Sequence, residues 1–252
     1  VALPAEHGSW SLVLEPILLG MLVAPSWPGF GVALAGFFAF LAQRPFKIVL
    51  SDWRRGKAYA RTRLARRILG LYGLTAVVAL ALAVWSGGLQ LLWPLVLAAP
   101  LFLLYFYFDR RPGRHLEAEL AAPAAFAAIS AMISLAAGWP MDLSLALWAA
   151  MSARSLPAVL YIRARLRLAK GKEGPALPTI AAHALALLVV LILIWAGLLP
   201  QLAAVAFIIL LLRAIIGLSR WRLQVRTQTL GWLEVFFGFL TVILIAAGYW
   251  LG

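Results

Sequence analysis

Arg154, Tyr161 and Arg165 stand at i, i+7 and i+11 in ARSLPAVLYIRARLRLAKGK (153–172), a spacing that puts them on one face of a helix. Asp52, Arg55, Tyr59 and Arg63 share a face in the same way in SDWRRGKAYARTR (51–63). Guanidinium forks match carboxylates and phosphates bidentately, so two faces of arginine and tyrosine point to binding of an anion. The single aspartate admits two readings. Asp52 is either the remnant of a metal-binding acidic motif or a carboxylate that orders the arginines around it. His7 and Glu15 add an imidazole and an acid near the start of the chain, while His183, Arg213 and Glu234 fall in later apolar runs. An ionised side chain deep in a lipid-spanning helix costs roughly 2.5–3.5 kcal/mol. All these groups lie toward the basic ends of their runs, which suggests one polar cavity with Glu15 or Glu234 paired to Arg154. Arg213 reads instead as a snorkelling or structurally paired group. Arg163, Arg167 and Lys170 point away from the Arg154 face and read as a solvated stripe at the head groups.

Other chemistries find little support. The three histidines, His7, His115 and His183, have no metal-ligand spacing, so no metal site is expected and nothing in their spacing argues for haem. There is no P-loop, dinucleotide fingerprint or serine-nucleophile motif. Cysteine is absent, which excludes disulfides, thiolate catalysis and cysteine-based metal sites.

The elements that must position these residues are apolar. Of 252 residues 64% are hydrophobic, against about 45–50% in ordinary soluble domains, and the mean hydropathy is +0.96. Lipid is the expected solvent for most of the chain. Nine apolar segments can be drawn, at 10–25, 29–50, 68–86, 89–108, 120–138, 142–161, 178–197, 199–217 and 232–251. No alternating barrel pattern appears, so an all-α bundle of about nine transmembrane helices in a single domain over 1–252 is expected. The opening residues, VALPAEHGSW, lack a basic signal-peptide region and read as a short lead-in.

The turns fall into two kinds. APSWPG, SGG, AGWPMD and AGLLPQ carry no Lys or Arg, whereas the alternate turns around 44–67, 110–114, 163–172 and 220–226 carry nearly all of them. The positive-inside rule makes the basic turns cytoplasmic, with the N-terminus inside and the C-terminus outside. Trp27, Trp85, Trp139, Trp195 and Trp250 then mark the opposite interface. The same placement accounts for the net charge of +13 through orientation and anionic head groups, with no nucleic acid partner. Pro16, Pro157 and Pro200 are expected to kink or break helices.

Four ordered motifs, LPAEHGSWSLVLEPILLG, QRPFKIVLSDWRRGKAYARTR, ARSLPAVLYIRARLRL and GWLEVFFG, resemble the bacterial YwiC-like membrane proteins along essentially the whole chain. That resemblance implies a multi-pass protein of the bacterial cytoplasmic (inner) membrane and no particular activity. More distantly, nine spans with the N-terminus inside are similar to the UbiA prenyltransferase superfamily. Its members carry aspartate-rich motifs after the second and sixth helices, where carboxylates hold magnesium and the metal holds a prenyl diphosphate. YFYFDRRPGRHLEAEL looks like the tyrosine and basic stretch after the fourth helix of those enzymes. Against N-D-x-x-D-x-x-x-D this chain offers Ser51, Asp52, Arg55 and Tyr59, and against D-x-x-Y-x-x-x-D-x-x-x-D it offers Arg154, Pro157, Tyr161 and Arg165. Mg²⁺ requires hard oxygen ligands, which arginine cannot supply.

The expected function is therefore a UbiA-like bundle without its magnesium motifs, holding an anionic or isoprenoid lipid or a quinone in a cytoplasm-facing cavity. The candidate site residues are His7, Glu15, Asp52, Arg55, Tyr59, Arg154, Tyr161 and Arg165. No cofactor is expected beyond such a lipid or quinone, and the partners are membrane lipids or subunits of a membrane complex. The alternatives are a non-catalytic accessory subunit of a respiratory or electron-transfer complex, or a transporter of lipid or small anions. A metal-dependent prenyltransferase ranks third. Any catalysis would be prenyltransferase-like and independent of magnesium.

Overall fold

A computed structural model describes residue 3 and residues 7–56, 59–109, 111, 113 and 115–252, with the backbone alone at 7–9. Among the described residues there are nine α-helices and no strand. They are α1 His7–Val23, α2 Trp27–Arg54, α3 Ala60–Gly87, α4 Trp93–Asp109, α5 Leu116–Ala136, α6 Met141–Ala169, α7 Ala176–Trp195, α8 Leu202–Leu218 and α9 Thr227–Leu251. A short 3-10 turn, Leu89–Leu92, leads into α4. Seven of these helices are long and apolar enough to cross a membrane, α4 together with its leading turn. At 17 residues each, α1 and α8 reach about 25 Å at 1.5 Å per residue, short of the ~30 Å hydrocarbon layer.

Long-range contacts bring alternate turns to the same end of the bundle. At one end Trp250 donates to the Leu22 carbonyl, Tyr249 donates to the Leu198 carbonyl and Trp139 packs on Tyr249. At the other, Lys47 meets Asp109, Glu119 meets Arg163, and Arg165 reaches the Leu223 carbonyl. The first end carries the exposed Trp27, Trp85 and Trp195, and the second carries the basic turns.

α5 is the central post. From Pro123 to Ala136 every residue is buried, and six of the fourteen are alanine, so neighbouring backbones approach closely. Its two isoleucines fill notches left by glycines. A Cβ on Gly20 of α1 would sit 2.8 Å from Ile133 Cβ, and one on Gly36 of α2 would sit 2.7 Å from Ile129 Cδ1. By contrast α3 is largely exposed and presents Leu71, Leu74, Val77 and Leu82 outward, as a lipid-facing helix does.

Two expectations need correction. The prolines do not break the helices: α1 runs through Pro16 and α6 through Pro157, while Pro200 lies in the turn before α8. Both helices continue past the missing donors, as prolines inside packed membrane bundles commonly allow. Helix boundaries also move into the basic turns, with α3 starting at Ala60 rather than 68 and α6 ending at Ala169 rather than 161. Arginine and lysine are good helix formers, so charge ends a span without ending the helix.

Candidate functional site

The charges inside the bundle converge. Arg154 of α6 places Nη2 3.0 Å from Glu15 Oε1 of α1, with both side chains almost wholly enclosed. The same nitrogen donates to the Glu234 backbone carbonyl of α9 at 2.9 Å. The Glu234 carboxylate takes Arg213 of α8 at 2.5 Å. Two acids and two arginines from four helices thus balance in one buried layer, which offsets a cost that neither sign could carry alone.

Local sequence explains why they fit. Ser11, one turn before Glu15, hydrogen-bonds that carboxylate. On α9 the position facing the Glu15–Arg154 pair is Gly238, where any Cβ would overlap Glu15 Oε1 and Arg154 Nη2. The Arg213 guanidinium stacks 4.2 Å from the Tyr161 ring and 4.8 Å from the Phe237 ring, a favourable setting for a desolvated cation. Tyr161 in turn packs edge-on against His183, whose Nδ1 lies 2.9 Å from the Thr179 carbonyl. The layer is nonetheless incompletely satisfied. Arg154 Nε, Arg213 Nε and Nη1, and Glu234 Oε2 are buried with no hydrogen-bond partner, and the Glu15–Arg154 contact is ionic rather than an aligned hydrogen bond.

This layer floors a cavity of about 1480 Å³. α6 supplies one continuous wall from Arg154 through Ala158, Ile162 and Leu166 to Lys170, about 24 Å at 1.5 Å per residue. The opposite walls bring Trp10 and Leu14 from α1, Phe40 from α2, Phe126 from α5, and Leu230 and Phe239 from α9. The inside is thus apolar between two polar ends. The mouth, at the basic end, carries Arg44, Lys47, Arg163, Arg167 and Lys170. Lys47 is 3.0 Å from Asp109 and Arg163 is 2.7 Å from Glu119. Arg167 and Lys170 have no carboxylate partner among the described residues. Beyond the floor Leu19, Met151, Phe207, Val242 and Ile245 form a dry core, so the cavity is closed at that end.

The predicted site residues separate into three places. Glu15 and Arg154 meet at the floor. Tyr161 and Arg165 lie behind it, Tyr161 under Arg213 and Arg165 donating to the Gly217 carbonyl at 2.8 Å and the Leu223 carbonyl at 2.7 Å. Asp52, Arg55 and Tyr59 form a separate cluster at the α2–α3 turn. There Asp52 is buried, accepting from Arg61 at 3.0 Å and from the Thr62 hydroxyl at 2.6 Å. The Tyr59 N–H donates to that same hydroxyl at 3.0 Å. Arg55 is exposed, and Tyr59 stacks on Arg61. The His7 side chain lies outside the described residues. Among the described residues no three of His, Cys, Asp and Glu gather as metal ligands would.

The cavity mouth is what sequence reasoning missed. Arg163, Arg167 and Lys170 do form a stripe off the Arg165 face, with Arg167 and Lys170 exposed as expected, and the same stripe also lines the cavity mouth. Their i, i+4, i+7 spacing was visible, but the neighbouring helix that turns a surface stripe into a wall was not.

Comparison with known proteins adds the family. No solved structure matches the chain. A relative described as "Uncharacterized protein YwiC", from Bacillus subtilis (strain 168), is 31% identical over 110 residues. The match takes in 43% of this chain and 43% of that protein, so less than half of the relative's length is spanned. The family model for the YwiC-like protein matches residues 3–134, which covers α1 through most of α5 and stops before Arg154, Arg213 and Glu234. Over more than half of its length, therefore, this helical membrane-type chain carries the family's pattern, and it belongs to the YwiC-like family.

Proposed function

We propose that the protein binds an amphipathic anion, an isoprenoid or acyl lipid or a quinone with an acidic head, in the cavity between α1, α2, α5, α6 and α9. The observation that carries this reading is the cavity itself: apolar walls, a cationic mouth and a volume near 1480 Å³. Pockets for drug-sized ligands run roughly 300–1,000 Å³, so there is room here for a head group and a substantial tail. The head group is gripped directly by ammonium and guanidinium groups, Arg167 and Lys170 first, rather than through a divalent cation. With the basic end cytoplasmic by the positive-inside rule, the mouth faces the cytoplasm of a bacterial cell. A distant kinship with the UbiA bundle belongs to the same reading, supported by the nine helices and a cavity at the basic end. The role is one of binding rather than catalysis. The dry core beneath the floor favours it over passage across the membrane.

Native mass spectrometry of the detergent-purified protein tests this. The expected spectrum shows retained lipid adducts of defined mass, depleted when Arg163, Arg167 and Lys170 are all changed to Gln. Bare protein, or the same adducts at the same occupancy in the triple variant, would refute the reading.

A further inference from the structure

A long apolar tail reaches the cavity easily only by a path that avoids water, because every two methylenes drawn into water slow a transfer about tenfold. A tail resident in the bilayer therefore needs a gap in the ring of helices around the cavity rather than the mouth above it. Most of that ring is shut. α2 packs on α1, α1 on α9, α9 on α6, α6 on α5 and α5 on α4. The α6–α9 seam is closed by Leu230, which clusters with Tyr161 and Ala164, and by the Arg154 hydrogen bond to the Glu234 carbonyl.

The remaining pair is α2 and α4, which have no packed interface among the described residues. Deep in the bundle α5 fills the space between them. There Gly36 of α2 accommodates Ile129, and Phe126 meets Phe40 of α2 and Phe102 of α4 edge-on, with ring centroids 6.1 Å apart in each case. Nearer the basic end that filling stops. Gln43 and Lys47 of α2 and Tyr105, Phe108 and Asp109 of α4 all line the cavity, so at this level α2 has parted from α5 and the cavity reaches α4. Lys47 spans the gap, with Nζ 3.0 Å from Asp109 Oδ1 and 5.5 Å from the centre of the Tyr105 ring. Both members of the ion pair are partly exposed, and exposed pairs are weakly held. Both helices also border lipid, since Phe46 of α2 and Leu103 and Leu104 of α4 are exposed.

We infer that the gap between α2 and α4 is a side entrance, through which the cavity takes an anionic lipid from the surrounding bilayer. The head stays at the level of the head groups, where Arg44 and Lys47 line the cavity, and the tail passes in without entering water. The inference rests on the amphipathic-anion reading above and adds the source of the ligand and its path.

The chain has no cysteine, so a pair placed across the gap can be tied selectively. The full-length variant Lys47→Cys/Asp109→Cys is reconstituted in liposomes and tied with a short bis-methanethiosulfonate, whose bonds a reductant reopens. Hexadecyl phosphate carrying a photoreactive diazirine in its tail is then added to the bilayer. Labels on Trp10, Leu14 and Phe239, which line the cavity, are followed over time by mass spectrometry. The untied variant is expected to take the label, the tied one to take it slower by more than about tenfold, and reductant to restore the rate. Octyl phosphate with the same diazirine, supplied from the water, should label tied and untied protein alike through the mouth. Equal rates for the hexadecyl probe with and without the tie overturn the side entrance and leave the amphipathic-anion reading intact. Loss of both probes on tying also overturns it, because the tie has then shut the mouth itself. Absence of cavity label from either probe in the native protein overturns the amphipathic-anion reading and the entrance with it.

Discussion

Replacing Glu15 with Met would leave Arg154 buried and opposed only by a backbone carbonyl. Breaking one side of a buried ion pair typically costs about 3–5 kcal/mol, because the remaining charge is stranded. Here the stranded arginine keeps its 2.9 Å hydrogen bond to the Glu234 carbonyl, which places the loss near the low end, about 3 kcal/mol. Arg154→Met strands Glu15 instead, whose remaining partner is Ser11, so its cost falls nearer the upper end. The double variant Glu15→Met/Arg154→Met removes both charges at similar volume and should lie within about 1 kcal/mol of the native protein, since such replacements are often neutral. On the scale of soluble domains of 150–250 residues, 3 kcal/mol corresponds to roughly 6–12 °C in Tm. Intrinsic fluorescence reads this directly, because the chain has 11 tryptophans. The expected order of Tm is native and double variant together, then Glu15→Met, then Arg154→Met. A double variant that loses the sum of the two single losses would show that the charges are not coupled, and the buried-layer argument would fail.

Gly238→Ala should cost about 1–3 kcal/mol by overpacking, because its Cβ overlaps the Glu15–Arg154 pair, whereas Gly73→Ala on α3, whose Cβ meets nothing within 4 Å, should raise Tm slightly by removing helical glycine. Asp52→Ala frees both Arg61 and Thr62 and should speed tryptic cleavage at the α2–α3 turn, with Asp52→Asn showing a smaller effect; unchanged cleavage would mean the turn is held by something else. Arg165→Gln gives up at least one of the two carbonyls that Arg165 ties, so it should lower Tm by about 1–3 kcal/mol equivalents yet leave the lipid adducts of the purified protein unchanged. Loss of those adducts in Arg165→Gln would return it to the binding site.

The helices were legible because lipid imposes them: apolar runs of span length have few alternatives, and clustered Lys and Arg mark one end. The layer of charge was legible as a depth, since Glu15, Arg154, Arg213 and Glu234 fall at similar heights in their spans. Its pairing was not. Spacing along α6 unites Arg154, Tyr161 and Arg165 on one face, but that face is wide enough to touch three different neighbours. Arg154 turns to α1 and α9, Tyr161 to α7 and α8, and Arg165 to the α8–α9 connection. Helical periodicity reports which side chains leave a helix together, not which helix receives each one, and in a bundle this tight the receiver decides the role. Asp52 makes the same point locally. Its neighbours in sequence are Arg54, the last residue of its own helix, and Arg55 just beyond it, yet the turn folds back and delivers Arg61 and Thr62 from the next. A lone acid among arginines therefore marks a place where two helices must be tied, and only the returning strand of chain shows which arginine ties them.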